Sequence, residues 1–229
     1  LIPHGASGAE GAYLAMPFRG LAGQVALEST RAKCLVVGED LGTVPFGMRD
    51  HLADERMLSY RVLWFERQGE DFAPPSAYPA LAAACVSTHD LPTLAGWWRG
   101  VDLEERRALG LEDDASFEKA LAERAREREE LGKALLKEGL IAELPAADAP
   151  LDDAFLAAVH GFVARTPSML ALAQLDDLAG ESAAVNLPGT DRERPNWRRR
   201  LSYPIGEAME SQRARAALAA MAKERGAET

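Results

Sequence analysis

Two short apolar runs in the sequence end in carboxylates, the residue type that acid–base chemistry requires. Residues 35–38 are rich in valine and predict a buried strand that ends directly before Glu39 and Asp40. A second predicted strand, at 83–88, ends shortly before Asp90. An α/β barrel places its catalytic residues at the carboxyl ends of parallel strands, so these carboxylates are candidates for one cleft. Enzymes that cleave glycosidic bonds usually do so with two carboxylates that face one cleft.

The acidic pair after the first strand also has a purely structural interpretation. A helix is predicted over residues 48–55, and Glu39 or Asp40 would then serve as its cap. Taken alone, the first stretch favours capping, whereas the second stretch, with its own carboxylate, favours catalysis. In the catalytic interpretation, the surroundings must keep one of the two carboxyl groups protonated near neutral pH so that it can act as an acid.

Longer motifs around both carboxylates resemble those of the 4-alpha-glucanotransferases, a family of the alpha-amylase clan whose members are also called amylomaltases or disproportionating enzymes. The main matching stretches are residues 37–45 and 87–98. Their order and spacing are most similar to the proteobacterial branch, and the resemblance runs from Leu1 into the C-terminal helix. Further matches occur at residues 11–13, 61–66, 186–190 and 196–199.

This resemblance implies a role for each matching side chain. Glu39 corresponds to the general acid/base, whose pKa would have to be raised by burial and nearby negative charge. Asp90 corresponds to the third carboxylate, which grips hydroxyl groups of the distorted sugar, and His89 corresponds to a hydrogen-bond donor to the same sugar. Weaker candidates for substrate contacts are Tyr13, Asn186 and Asn196.

One catalytic part of the family pattern is absent from the 229 residues. The nucleophile of the family is an aspartate in a stretch reading Arg-Ile-Asp-His, which would lie shortly before Leu1. The resemblance therefore implies the C-terminal part of an enzyme that transfers α-1,4-glucan segments between maltooligosaccharides by a retaining double displacement. Alone, this part would be inactive. The alternatives are an α-glucan hydrolase of the same clan and a non-catalytic α-glucan-binding fragment.

The alternation of predicted strands and helices indicates an α/β fold with a parallel sheet. An eight-stranded (β/α)8 TIM barrel needs about 250 residues, so four strands correspond to half of one. By resemblance they are strands five to eight, with a helical insertion between the last two. The predicted divisions are barrel residues 1–96, insertion residues 97–167, and residues 168–229 with the last strand, an active-site loop and the C-terminal helix. The strands are predicted at 35–38, 60–65, 83–88 and 169–175.

Apolar residues at three- and four-residue spacing predict the helices. The charged run at 124–130 is interpreted as a solvated helix face with salt-bridged neighbours. Residues 72–79, which include three prolines, and residues 144–150 are predicted to be loops. The helices are predicted at 17–33, 48–55, 103–109, 117–136, 152–163 and 207–224.

Three further groups of residues have less specific patterns. The aspartates at 176–177 are interpreted as caps of a following helix. The tryptophans at 97–98 either stack on sugars or belong to the core. The arginines at 198–200 are expected to lock their loop through ion pairs rather than to bind phosphate. The glutamates expected as their partners are Glu193, Glu207 and Glu210.

The bulk composition excludes several classes of protein. A net charge of −10 argues against a nucleic-acid groove, and no apolar run approaches the roughly 18 residues of a membrane span. Neither a signal peptide nor a cofactor or metal site is indicated. The expected partners are a maltooligosaccharide or α-1,4-glucan substrate and the N-terminal half of the barrel. Cys34 and Cys85 lie in apolar runs and are expected to be core thiols in a reducing compartment, which favours the cytoplasm.

Overall fold

The computed structural model of the protein describes residues 1–226, which form two compact units. The first unit is Leu1–Leu58 and the second begins at Ser59. No helix within the described residues is long and apolar enough to cross a membrane. The predicted divisions after residues 96 and 167 stay predictions.

The first unit is built on helix α1, which confirms the helix predicted at 17–33. Its last turn ends at Lys33, which adopts the left-handed conformation at φ 50° and donates its N–H to the carbonyls of Ser29 and Thr30. The small core of the unit contains Ala22 of this helix together with Leu52 and Met57. The elements of the unit are a 3-10 turn (Gly8–Glu10), α1 (Phe18–Ala32), β1 (Val37–Gly38) and α2 (Met48–Asp54).

Strand β1 is shorter and more exposed than the buried strand predicted at 35–38. Val36 packs on the small core, and its carbonyl accepts a hydrogen bond of 2.9 Å from the N–H of Leu58. Side chains alternate between the two faces of a strand, so Leu35 and Val37 point the other way and are both exposed. The exposed Cys34 likewise corrects the prediction of a core thiol, whereas Cys85 is buried and burial raises the pKa of its thiol to about 11.

The second unit contains a parallel sheet, which confirms the predicted α/β class. Strand β5 (Ala82–Cys85) pairs in parallel with β2 (Leu58–Val62) on one side and with β6 (Leu170–Leu172) on the other. All four residues of β5 are fully buried, whereas β6 is only half-buried. The other elements are the hairpin strands β3 (Arg67–Gln68) and β4 (Asp71–Phe72), and helices α3 (Leu94–Arg99), α4 (Val101–Ala108), α5 (Asp114–Lys137), α6 (Asp153–Ala164), α7 (Leu175–Ala179), α8 (Ile205–Glu210) and α9 (Gln212–Glu224).

The boundaries of three predicted strands and one loop need correction. Strand β5 ends at Cys85, three residues before the predicted end at 88. Strand β2 starts two residues before the predicted 60–65, and the apolar Leu63–Phe65 forms a 3-10 turn instead of continuing it. A continuous apolar run does not reveal such a change of backbone conformation. The loop predicted at 72–79 begins with Phe72, the last residue of β4, and includes the 3-10 turn Pro75–Ala77. The strand predicted at 169–175 is reduced to β6, because residues from Leu175 onward form α7.

The core of the second unit lies around α6, in which ten of twelve residues are buried. This helix packs along α9 and against β5. The alanines of β5 leave room for this close approach, since a larger side chain on the buried strand would hold the helix away. Trp97 and Trp98 are buried in the same core, so of the two interpretations of this pair the structure supports the structural one.

The charged run of α5 is only partly a solvated face, which corrects that prediction. Arg124 donates two hydrogen bonds, of 2.9 and 2.8 Å, to the Asp102 carboxylate and a third, of 2.6 Å, to the carbonyl of Trp97. The guanidinium carbon of Arg128 lies 4.1 Å from the centroid of the Trp98 ring. These arginines therefore cover the tryptophan pair instead of facing only water.

The last predicted helix, 207–224, is two helices. Ser211 interrupts it in an extended conformation, and its hydroxyl accepts a 3.1 Å hydrogen bond from the N–H of Ala214. Serine is a strong N-cap, so it starts α9 at the point where α8 ends.

Candidate functional site

The end of strand β5 forms the first side of the candidate site. The chain stays buried through Ser87 and Thr88 and then exposes His89 and Asp90. The Thr88 hydroxyl accepts a 3.2 Å hydrogen bond from the N–H of Asp90, and the Ser87 hydroxyl donates one of 2.7 Å to the carbonyl of Pro92. These bonds fold the loop after the strand into a fixed turn that presents the Asp90 carboxylate to solvent.

The structure brings three of the predicted site residues together. Asn186 donates a 2.6 Å hydrogen bond from its amide to Oδ1 of Asp90, although 96 residues separate them in the chain. On the other side, Nε2 of His89 lies 3.5 Å from Oδ2 of Asp90. The Asp90 side chain is still 47% exposed, so its remaining lone pairs can accept hydrogen bonds from hydroxyl groups of a ligand.

Asn196, another predicted contact residue, uses its side chain inside the protein. Its Oδ1 accepts hydrogen bonds from the N–H of Leu187 and the guanidinium of Arg194, at 3.1 and 2.8 Å. Its amide donates to the carbonyl and the hydroxyl of Thr190, at 3.1 and 2.8 Å. All its usual partners are therefore found within the loop at 186–198, and the side chain fixes the shape of that loop.

The next residue, Trp197, lies beside the site and was not among the predicted contact residues. The centroid of its exposed ring is 5.1 Å from that of His89. Its position directly after Asn196 in the matching stretch 196–199 is the sequence signal that could have indicated it.

The remaining predicted residues belong to the first unit. Glu39 follows β1 directly and is exposed. The residues of the first unit therefore do not provide the burial that is expected for an acid/base group. Tyr13 is also exposed. The convergence of Glu39 with Asp90 on one cleft stays a prediction.

Asp40, next to Glu39, has a structural role different from capping. Its carboxylate is buried and accepts a 2.9 Å hydrogen bond from Nε of Arg49 on α2, while its carbonyl accepts another from the same guanidinium at 3.0 Å. Gly47 is the N-cap of α2, so neither acidic residue caps this helix. The Arg49 bonds instead fix the turn after Glu39.

Helix α3 holds the other end of the loop that carries Asp90. Thr93 is its N-cap, with a hydroxyl that accepts from the N–H of Gly96 at 3.0 Å and donates to the carbonyl of Glu181 at 2.6 Å. Gly96 has to be a glycine, because a Cβ there would lie 2.2 Å from the carbonyl oxygen of Ser182. The loop is therefore fastened to residues some 88 positions later in the chain.

Asp177 completes this attachment and corrects the capping prediction for residues 176–177. Gln174 is the N-cap of α7, and Asp177 lies within the first turn. Its Oδ1 accepts a 2.7 Å hydrogen bond from the N–H of Leu94, the first residue of α3. Asp177 therefore satisfies a free N–H of a different helix, 83 residues away.

Asp177 faces His160 in the core of the unit. Both side chains are fully buried, with Nε2 of the histidine 3.8 Å from Oδ2 of the aspartate. Nδ1 of His160 lies 2.9 Å from the carbonyl oxygen of Leu156 and donates a hydrogen bond to it, because a carbonyl oxygen can only accept. The other ring nitrogen, Nε2, faces Asp177. Burial raises the pKa of the Asp177 carboxyl, with His160 and Arg213 opposing the rise and Asp176 adding to it.

The raised pKa of Asp177 predicts how stability depends on pH. The native state binds this proton more tightly than the unfolded state, where the pKa is about 3.9, so the free energy of unfolding falls as pH rises above about 4. Asp177→Asn keeps an oxygen for the N–H of Leu94 and removes the charge. We expect its free energy of unfolding at neutral pH to equal or exceed that of the wild type and to depend less on pH, as measured by urea unfolding at about pH 4.5 and about pH 7.

The matched variant for this experiment is Asp177→Leu. It removes the acceptor and leaves the N–H of Leu94 buried and unpaired, which should cost about 1–3 kcal/mol at both pH values. A steeper pH dependence in Asp177→Asn than in the wild type would contradict the raised pKa.

Of the arginines at 198–200, Arg199 forms ion pairs, with partners other than the predicted Glu193, Glu207 and Glu210. Arg199 lies 2.7 Å from the Asp176 carboxylate and 3.5 Å from that of Glu181. Glu181 also accepts a 2.5 Å hydrogen bond from the N–H of Ser202. The ion pairs of Arg199 therefore tie the segment after Trp197 to α7 and to Glu181, the second residue after that helix.

Besides a small cavity of about 30 Å³ that Asp90 and Asn186 line, two larger cavities of the described residues lie near these elements. One, of about 610 Å³, is lined by the loop at 186–198 and includes Asn186 and Trp197. The other, of about 830 Å³, lies against α7, α8 and α9 and is lined by Tyr203 and Arg213 among others. Of the two larger cavities, only the first adjoins the cluster of Asp90, His89 and Asn186, so it is the better candidate for a ligand cleft.

Comparison with known proteins gives the family. The sequence model of the 4-alpha-glucanotransferase family matches residues 1–205. The 4-alpha-glucanotransferase of Haemophilus influenzae is 34% identical over 207 residues, which are 89% of this chain and 30% of that protein. The 4-alpha-glucanotransferase of Mycobacterium tuberculosis is 38% identical over 216 residues, which are 91% of this chain and 29% of that protein.

Solved structures agree with this result. The crystal structure of amylomaltase from Corynebacterium glutamicum superposes with a TM-score of 0.86 at 30% identity, covering 96% of this chain and 33% of that one. Amylomaltase from Streptococcus agalactiae in complex with acarbose gives a TM-score of 0.60 at 16% identity, which shows the fold alone. The chain spans about a third of the length of these proteins. With its family model matched over residues 1–205, this chain belongs to the 4-alpha-glucanotransferase family.

Proposed function

We propose that this chain supplies the acid/base and sugar-gripping part of a 4-alpha-glucanotransferase that transfers α-1,4-glucan segments between maltooligosaccharides. The observation that carries the proposal is the cluster of Asp90, His89 and Asn186 after the buried strand β5, with an Asn–Asp hydrogen bond of 2.6 Å and a half-exposed carboxylate. Polar groups at the carboxyl end of a parallel strand are where α/β barrels carry their chemistry.

In this proposal, Glu39 protonates the glycosidic oxygen of the departing sugar and then takes the proton from the 4-hydroxyl of the acceptor. Asp90 accepts hydrogen bonds from ring hydroxyls, while Asn186 and His89 on its two sides hold the carboxylate in place. These contacts strengthen as the sugar ring distorts towards the oxocarbenium-like transition state. A nucleophilic aspartate forms the covalent glycosyl intermediate, and it is supplied by sequence outside the 229 residues.

A neutral glucan is the proposed substrate. The net charge of −10 is compatible with it without supporting it, since a neutral sugar needs no basic surface to attract it. The Streptococcus agalactiae amylomaltase, which shares the fold, was solved with acarbose bound. A maltooligosaccharide is therefore the first ligand to test.

The decisive experiment uses the complete enzyme, meaning these 229 residues together with the nucleophile-bearing sequence. Incubation with maltotriose should produce a series of longer and shorter maltooligosaccharides. The total concentration of reducing ends should rise little, because transfer between sugars conserves the number of chains. If reducing ends accumulate instead, water is the main acceptor and the protein is an α-glucan hydrolase. Binding of maltooligosaccharides by calorimetry without either reaction would indicate a non-catalytic α-glucan-binding protein.

We also propose that the strands of this chain are strands five to eight of a (β/α)8 barrel. Such a half-barrel would leave apolar residues of its outer strands without their intended neighbours. The proposal is supported by the exposure of Val37 in β1, and of Leu35 and Met169 just before β1 and β6. Exposed strand residues of this kind promote association between chains.

The chain alone is therefore expected to self-associate and to lack transferase activity, as measured by sedimentation velocity and by the maltotriose assay. Co-expression with the nucleophile-bearing half should restore activity. Leu172→Lys, at the exposed end of β6, should reduce self-association, whereas Leu111→Lys, which is exposed to a similar degree (39% against 42%), should not. A monomeric chain that redistributes maltotriose unaided would contradict both the half-barrel and the absent nucleophile.

A further inference from the structure

Trp197 combines two features that an ordinary surface residue avoids. Its backbone has a φ of +62°, in the left-handed region that residues other than glycine rarely adopt. Its side chain is a large apolar ring that is 60% exposed. Strained backbone at a non-glycine residue tends to persist where the surrounding structure holds a side chain in a required position.

The surrounding structure does hold Trp197 in place. Its N–H donates a 3.0 Å hydrogen bond to the carbonyl of Val185. The preceding Asn196 is fixed by its four side-chain hydrogen bonds. Arg194, which is largely buried, donates a 2.7 Å hydrogen bond to the carboxylate of Glu105 on α4 and a further hydrogen bond to the carbonyl of Ala184. The indole ring is thus carried by a rigid loop.

The ring lies at the edge of the proposed sugar site. It is tilted by 52° against the ring of His89, whose Nε2 lies 3.5 Å from Asp90. It also lines the cavity of about 610 Å³ in the loop at 186–198. A ligand held at Asp90 and extending into this cavity would pass the exposed indole.

We propose that Trp197 is a carbohydrate-stacking residue that holds a second glucose ring of the α-glucan, next to the ring held at Asp90. A pyranose ring presents C–H groups on its faces and hydroxyl groups around its rim. An indole offers an apolar face with negative electrostatic potential, which attracts those C–H groups. The side chain would therefore contribute to affinity for chains longer than glucose. This inference rests on the proposed function and names the residue that holds the second glucose ring.

The test compares ring-removing and ring-keeping variants in the complete enzyme. Trp197→Ala should raise KM for maltotriose and maltoheptaose by about tenfold, the effect of losing one buried apolar contact, with kcat changed by less than about threefold. Trp197→Phe retains a stacking face and should stay within about threefold of the wild-type KM. The matched control is Tyr203→Ala, since Tyr203 is an aromatic residue of similar exposure (52%) that lines the other cavity, and this variant should leave KM unchanged.

Trp197→Gly separates a binding role from a structural one. Glycine adopts a positive φ readily, so the melting temperature of this variant should equal or exceed that of the wild type while KM rises as in Trp197→Ala. A wild-type KM in Trp197→Ala, or a lowered melting temperature in Trp197→Gly with unchanged KM, would overturn the inference.

A failure of the proposed function can be distinguished from a failure of this inference. If the complete wild-type enzyme does not transfer glucan, calorimetry with maltoheptaose still tests Trp197. Weaker binding by Trp197→Gly than by the wild type would support the stacking role, and equal binding would overturn it.

Discussion

Replacing Glu39 with glutamine in the complete enzyme is expected to lower transfer between maltooligosaccharides by at least about 10²-fold, the low end of the contribution of general acid–base catalysis. Glutamine keeps the shape and the hydrogen-bonding oxygen but can neither supply nor accept the proton. Because Glu39 is exposed in the first unit, the substitution should leave the melting temperature unchanged. Initial rates of maltotriose disproportionation measure the effect.

Two controls test whether the loss comes from the missing proton. Glu28→Gln removes an exposed carboxylate on α1 whose ion pair with Arg31 is solvated, and it should retain wild-type rates. A glycosyl fluoride donor needs no protonation of its leaving group, so it should restore formation of the glycosyl intermediate in Glu39→Gln. Near-normal disproportionation by Glu39→Gln, or no rescue by the fluoride, would refute the acid/base role.

The second large effect is expected for Asp90→Asn. The variant keeps an oxygen for the amide of Asn186, which donates to Oδ1, but it loses the negative charge and one acceptor oxygen at the other position. Both are needed to hold sugar hydroxyls as positive charge develops on the ring. We expect transfer to fall by about 10²-fold or more, the loss typical of removing one pre-organised polar group that stabilises the transition state.

The structural control for this variant is its melting temperature, which should stay within a few degrees of the wild-type value, since the Asp90 side chain is about half exposed. Asp148→Asn, an exposed aspartate in the connection at 144–150, provides the matched substitution and should leave transfer unchanged. Full activity in Asp90→Asn would remove this residue from the proposed mechanism.

The sequence predicted the presence of the strands, and the carboxylate that follows β5, better than it predicted where each strand begins and ends. The abrupt change from apolar to ionisable residues before Asp90 marks the end of the buried stretch that contains β5, because a buried segment cannot continue through unpaired charges. The strand itself ends earlier, at Cys85. No comparable signal exists at Leu63, where apolar residues continue while the backbone turns into a 3-10 conformation. The hairpin at 67–72 was missed for a related reason, because each of its strands has only two residues.

The supporting residues of the site were the hardest to predict. Asp177 has the sequence pattern of a helix cap, and nothing nearby in the chain indicates that its partner is the N–H of Leu94. Trp197 follows Asn196 in a matching stretch, yet its exposure and positive φ arise from the loop contacts made by Arg194 and Asn196. Local patterns predict which residues can do chemistry, whereas the contacts that position them depend on the tertiary fold.

The attachment of the Asp90 loop to α7 has a consequence for the order of folding. Its anchors join Leu94 to Asp177, Thr93 to Glu181 and Asp90 to Asn186, across 83 to 96 residues of intervening chain. Contacts between distant segments form late, since the entropy of closing a long loop must be lost before they contribute. During synthesis, β5 and the residues after it emerge long before α7 and the loop at 186–198. The Asp90 turn therefore acquires its final geometry only when the last quarter of the chain has been made and has docked.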